Sequence, residues 1–190
     1  MKKKMITIVL ALLICVSVVA GGTQAYFAGR VTAHNVITTG AVEIILHEQQ
    51  ADGTPYPKEP VPAMPGDIIT KKAFVENQEA DAFVRAKYTV LVKEANGDAL
   101  KLDAETLKSL VSVTGTDARW KAGTDGWMYY DEVVKRDAVT GYLLTTVELS
   151  GPNITNEFAN CSIEVAVQAQ AVQAANNGNS AIAAQGWPVS

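Results

Sequence analysis

Apolar and polar residues alternate along most of the chain beyond residue 40, which is the period of a β-strand with one buried face. The most regular stretch runs from Cys161 to Ala171, where apolar residues occupy every second position. The same alternation occurs at 42–46, 84–92 and 143–149. Strands with one buried and one hydrated face are typical of antiparallel sheets.

Turn-forming residues separate these strands. Glycine, proline and asparagine cluster at 55–67, 96–98, 123–126 and 151–153. Many short strands with such clusters between them predict an all-β chain, folded as a jelly-roll-like antiparallel β-sandwich. We expect a single domain over residues 26–190, ending in a polar, alanine-rich tail at 172–190.

One segment departs from the strand pattern. Asp103 begins the run DAETLKSL, and Leu107 and Leu110 have near-helical spacing. An aspartate at this position accepts hydrogen bonds from the first free backbone N–H groups of a helix. The sequence therefore predicts one short helix after Asp103.

Residues 1–25 have the order of a secretory signal peptide. Lys2–Lys4 precede an apolar run from Met5 to Ala20 and then small residues. We expect a signal helix, cleaved between Ala25 and Tyr26. An uncleaved membrane anchor is the alternative, but the apolar run is at the short end of the roughly 20 residues that cross a bilayer. Membrane contact is therefore expected only through the signal, before cleavage, and the protein is expected to be secreted.

Charge and cysteine content narrow the function further. The 190 residues carry a formal net charge of −4, and removal of the three signal lysines leaves −7. A chain this acidic has no basic stripe to neutralise phosphates, so nucleic acid is not an expected partner. Cys161 is the one cysteine beyond the signal, and its place on an apolar strand face predicts a buried, inert thiol.

Three segments together resemble the TasA/camelysin-like family of exported proteins. They are residues 21–46, the PGD turn at Gly66 with the strand-like 71–78, and the later runs 127–149 and 163–177. The resemblance implies a jelly-roll-like sandwich and export through a SipW-type signal peptidase. It also implies a place in the extracellular, biofilm-type matrix or on the cell surface.

In fibre-forming members of that family, an N-terminal segment is thought to fill a groove in the next subunit. Residues 26–39 of this chain suit such a role, because they are compatible with a β-strand and carry Arg30 as their one fixed charge. The alternative is that they form the first strand of their own sheet. The residues expected to form this assembly strand are Tyr26, Phe27, Val31, Val36 and Ile37.

The resemblance also implies an alternative function, that of a secreted metallopeptidase, because camelysin-like relatives are described as metallopeptidases. His47 and Glu48 begin an H-E-x-x-H pattern, but Ala51 stands where the second histidine belongs. His34, His47 and Glu48 remain a weak candidate metal set. The sequence predicts no catalytic residue and no cofactor.

An aromatic group offers a third hypothesis, a monomeric surface binding module. Exposed aromatic rings stack on sugars and anchor interfaces, whereas buried rings only pack. The candidate ligand aromatics are Trp120, Trp127, Tyr129 and Tyr130. The leading hypothesis is instead a secreted structural component that associates with itself or with related matrix subunits; the metallopeptidase and the binding module are the alternatives.

Overall fold

The computed structural model describes residues 27–29, 37–38, 42–158 and 160–188. The signal peptide and its cleavage site lie outside the described residues. One α-helix, α1, spans Ala104–Leu110. The strands in chain order are β1 (Phe27–Gly29), β2 (Ile37–Thr38), β3 (Ile44–Gln49), β4 (Val61–Ala63), β5 (Ile68–Asn77), β6 (Ala82–Lys93), β7 (Val111–Thr114), β8 (Trp120–Ala122), β9 (Met128–Tyr130), β10 (Leu144–Leu149) and β11 (Ser162–Gln173).

The strands form two main sheets and a small one. One main sheet has four strands in the order β3-β5-β10-β7, all antiparallel. The other has five strands in the order β2-β11-β6-β9-β8, antiparallel except for the parallel pair β2 and β11. β1 and β4 pair separately. The predicted all-β sandwich with one short helix is confirmed.

The main core lies between the two sheets. From β11, Val165, Val167 and Ala169 face inward, and Ala73 and Val147 meet them from the four-stranded sheet. Burial of a side chain the size of valine stabilises the fold by about 1.5–3 kcal/mol, so this alternation accounts for much of the sandwich's stability. Cys161 belongs to the same core and is buried, as its strand pattern predicts.

Strand β10 breaks the predicted alternation. The sequence pattern placed Leu143 and Thr145 on one face, but Leu143 and Leu144 are both buried. The register of β10 against β5 shifts between Leu144 and Thr146, as at a β-bulge. The extra residue of this bulge lies on β5, between Thr70 and Ala73, and the inward positions of β10 are Leu144, Val147 and Leu149.

Helix α1 begins where the sequence predicts. The Asp103 carboxylate accepts hydrogen bonds from the backbone N–H groups of Glu105 and Thr106. Burial of Leu110 then fixes the end of the helix against the core. Within the described residues, no helix is long and apolar enough to cross a membrane.

The C-terminal part of the chain differs from the expected polar tail. β11 continues to Gln173, so residues 172 and 173 belong to the sheet. Ala181, Ala184 and Trp187 then pack on a second cluster with Phe83 of β6. Small alanines allow this segment to lie close to the sheet, and it covers the outer face of the five-stranded sheet instead of extending into solvent.

Candidate functional site

The free edge of β6 forms one wall of a groove at the side of the sandwich. β11 pairs with β6 along its full length, whereas β9 pairs with it only at Arg85 and Ala86. Beyond Ala86, the next backbone bond from a described residue to this edge is at Val92, whose carbonyl accepts from the Leu100 N–H at 2.8 Å. The edge between Lys87 and Leu91 is therefore open.

The direction of the backbone groups on this edge follows from its neighbours. Both groups of one residue point to the same side of an antiparallel strand, and the side alternates along the chain. Ala82 and Val92 bond away from β11, and the pairing between them is regular. Tyr88 and Val90 lie an even number of residues from both Ala82 and Val92. Their backbone N–H and C=O groups therefore point to the same side, toward the open edge.

Strand β7 forms the opposite wall. Among the described strands it pairs with β10 alone, so its other edge carries no neighbour. The Val111 N–H turns away from β10 to the Leu107 carbonyl of helix α1. By the same alternation, the backbone groups of Val113 face away from β10.

Helix α1 completes the groove. The groove encloses about 590 Å³ between β6, α1 and β7. Its lining is largely apolar, with Lys108 as the one charged side chain among the residues that line it. The lining includes Tyr88, Val90, Leu107, Val111 and Val113.

This arrangement is suited to binding an extended peptide. Exposed strand edges offer rows of backbone donors and acceptors, and an added strand satisfies them while apolar side chains fill the groove. The open edge from Lys87 to Leu91 is about 17 Å long at the usual rise of a strand. That length accepts a segment of five or so residues.

The predicted assembly strand lies partly within the described structure. Phe27–Gly29 pair with Val61–Ala63 of β4, and Ile37–Thr38 run parallel to Gln170 and Ala171 of β11. Within a single chain, β2 is therefore separated from the groove wall β6 by β11. Tyr26, Val31 and Val36 lie outside the described residues.

The four candidate ligand aromatics are all buried. Trp120 and Tyr130 contact each other in the main core, with ring centroids 5.0 Å apart. Trp127 and Tyr129 take the opposite face, as strand alternation predicts, but the C-terminal segment covers them. Since none of the four exceeds 7% exposure, the structure does not present them as a ligand surface.

Arg85 organises the covered aromatics. Its guanidinium stacks between the rings of Trp127 and Trp187, at 4.4 and 4.6 Å from their centroids. Nη2 donates to Gln170 Oε1 at 2.7 Å and to the Pro188 carbonyl at 3.3 Å. Such cation–π and charge-assisted contacts are strongest when desolvated, so Arg85 holds the C-terminal segment on the sheet.

Asp125 and Tyr129 complete the surroundings of Arg85. The Tyr129 hydroxyl donates to Asp125 Oδ2 at 2.7 Å and accepts from Arg85 Nη1 at 3.2 Å. The Tyr129 hydrogen bond holds the pKa of Asp125 below its ordinary value. Burial raises the pKa of Tyr129, so its hydroxyl remains a donor.

The histidine and glutamate of the incomplete H-E-x-x-H pattern lie on opposite faces of β3. His47 Nε2 is 2.6 Å from Glu76 Oε2, and its ring stacks on Phe74. Glu48 points inward and pairs with Lys71. His34 lies outside the described residues, and in the part of the chain that is described no three histidine, cysteine or acidic side chains form a group that could hold a metal ion.

Sequence reasoning did not identify the groove residues Tyr88, Val90 and Val113. Their alternation predicts strands, but an open edge depends on which strands become neighbours. The sequence carries no signal for this edge, because it is open only where β9, with three residues, is too short to cover the twelve residues of β6.

Searches of protein-family models, curated proteins and solved structures find no match for this chain.

Proposed function

We propose that this protein is a secreted structural component of an extracellular matrix or cell surface, and that its copies assemble by strand addition. In this proposal, residues 26–39 of one copy enter the groove between β6 and β7 of the next. The observation that carries the proposal is the groove itself, which has a largely apolar lining and, on each wall, a strand edge that no described residue pairs with.

The N-terminal segment has the properties that this groove requires. Its 14 residues exceed the roughly five that the open edge accepts, and Arg30 is its one fixed charge. Phe27, Val31 and Ile37 supply apolar side chains for the lining. Among its described residues, three pair with β4 and two with β11 in a single chain. Short strand pairings of this kind are exchanged between copies at low cost in free energy.

Removal of the segment tests the proposal. We expect residues 26–190 to assemble with increasing concentration, seen by light scattering and electron microscopy. A chain that starts at Gly40 is expected to remain a folded monomer, because it keeps the core and the groove but has no strand to donate. Circular dichroism checks that the shortened chain retains its β-structure.

A peptide experiment distinguishes donation from mere loss of stability. A synthetic peptide of residues 26–39 is expected to bind the shortened chain, whereas a peptide of the same composition in scrambled order binds weakly. Polymerisation of the shortened chain at the same concentration as residues 26–190 would contradict the proposal.

A further inference from the structure

A lysine lies in the core at one end of the sandwich. Lys71 of β5 faces inward in line with Ala73 and Val75 and is only 1% exposed. Lysine is almost never fully buried unless it is paired. Its burial here follows from strand alternation, since moving it outward would turn Ala73 and Val75 to solvent.

Glu48 of the neighbouring strand β3 is the partner of Lys71. Glu48 stands opposite Ala73, so Lys71 is its diagonal neighbour on the same face of the sheet. Lys71 Nζ lies 2.6 Å from Glu48 Oε1, and the Glu48 side chain is 8% exposed. Outside this contact, neither atom has a hydrogen-bond partner among the described residues.

The surroundings of the pair exclude water. The ring of Tyr56 covers Lys71 Nζ, with its centroid 4.8 Å away. Burial lowers the pKa of Lys71, while the charges of Glu48 and Glu164 act in the opposite direction. A dry site makes the ammonium form of Lys71 costly to bury and so favours the neutral amine that acts as a nucleophile.

We propose that Lys71 and Glu48 join in an intramolecular amide bond between Lys71 Nζ and Glu48 Cδ. After the proton passes from Nζ to the carboxylate, the neutral amine attacks Cδ and a C–N bond forms. The C–OH bond then breaks, and the hydroxyl leaves as water with a proton from the nitrogen. One amine and one carboxylic acid give one amide and one water, with no oxidation or reduction.

Burial and proximity are what make this reaction feasible between ordinary side chains. Fixing two reacting groups in contact converts a slow bimolecular step into an intramolecular one, with effective concentrations of about 10⁵ M or more in well-oriented cases. Exclusion of water also opposes hydrolysis of the product. The amide would tie β3 to β5 and close the intervening proline-rich turn, a property separate from the proposed assembly.

The chain provides a matched control pair on its surface. Lys135 Nζ is also 2.6 Å from a carboxylate, that of Asp81, but the two side chains are 69% and 45% exposed. Water reaches both side chains of this pair, and we expect no amide there. Because the two pairs have the same N–O distance and differ in exposure, comparing them separates the effect of burial from the effect of distance.

The test is the mass of the purified, folded full-length chain. We expect the intact mass to be lower than that of the linear sequence by one water molecule. Proteolysis and tandem mass spectrometry should yield a branched peptide that joins residue 48 to residue 71, and linear peptides that contain Lys135 and Asp81. Incubation at neutral pH before analysis allows slow formation to reach completion.

Two variants assign the bond. Lys71→Arg and Glu48→Ala should each have the full linear mass of their sequences, whereas Lys135→Arg should keep the deficit of one water. The proposal is overturned if the wild-type chain has its full linear mass with Lys71 in a linear peptide. It is also overturned if the deficit persists in Glu48→Ala.

Discussion

Strand β6 has two halves that differ in what covers them. Residues 82–86 pair at their edge with Val134 and β9, and the C-terminal segment covers their outer face. Residues 87–91 keep β11 on one side, but within the described structure their other edge opens into the groove. Both halves show the same alternation in the sequence, so the neighbours decide their roles. The covered half contributes stability, and the open half is available to another strand.

Substitutions in the covered half should lower the free energy of unfolding far more than substitutions in the open half. Replacing Arg85 with methionine removes the donors to Gln170 Oε1 and the Pro188 carbonyl. Because these acceptors would remain without donors, we expect a loss of about 2–4 kcal/mol in the free energy of unfolding. Urea unfolding followed by tryptophan fluorescence measures it.

A surface lysine supplies the control for Arg85→Met. Lys135→Met removes an exposed ion pair with Asp81 and should cost less than about 1 kcal/mol. Equal losses in the two variants would show that the contacts of Arg85 are not what stabilises the covered half.

Substitutions in the open half should change the concentration needed for assembly and leave the free energy of unfolding nearly unchanged. Tyr88→Lys places a charge at the wall of a largely apolar groove, where an incoming apolar strand would have to bury it. We expect the concentration needed for assembly to rise about tenfold, which corresponds to about 1.4 kcal/mol. The unfolding free energy should change little, since Tyr88 is 37% exposed.

Tyr142→Lys is the matched control for Tyr88→Lys. Tyr142 has a similar exposure, 40%, but lies against Phe74 on the four-stranded sheet. It should leave the assembly concentration unchanged. An equal shift in both variants would mean that added charge, and not the groove, weakens assembly.

The smallest expected effect is a pH dependence at the covered half. The lowered pKa of Asp125 means that its ionised form stabilises the fold above its ordinary pKa near 3.8, and that this contribution is lost as the pH falls through the lowered value. The difference in melting temperature between the wild type and Asp125→Asn should therefore shrink below about pH 4. Asp131→Asn, at an exposed position, is the control, and an equal pH trend in both variants would show that the Tyr129 hydrogen bond is not its cause.

Local patterns in the sequence predict part of this structure well. The alternation from Cys161 to Ala171 predicts β11, and Asp103 predicts the start of α1, because both depend on residues close in the chain. The cover over Trp127 could not be predicted, since the segment around Ala181 has no period and reaches the sheet through tertiary contacts with Phe83, Trp127 and Arg85.

The groove and the buried Lys71 also could not be predicted from residues close in the sequence, because both depend on tertiary contacts. The sequence Lys71-Lys72 does not indicate which side chain faces inward until the register of β5 is known. Likewise, Tyr88 and Val90 are ordinary strand residues until β9 proves too short to cover them. Pairing between distant segments, and not local propensity, creates both sites.

Hydrogen exchange at individual amides of β6 tests the central proposal most directly. In the monomer, the amides of Tyr88 and Val90 should exchange rapidly, while those of the covered half are protected. In the assembled protein, we expect Tyr88 and Val90 to become protected because a strand from the next copy bonds to them. Assemblies in which both amides still exchange at the monomer's rate would contradict strand addition at this groove.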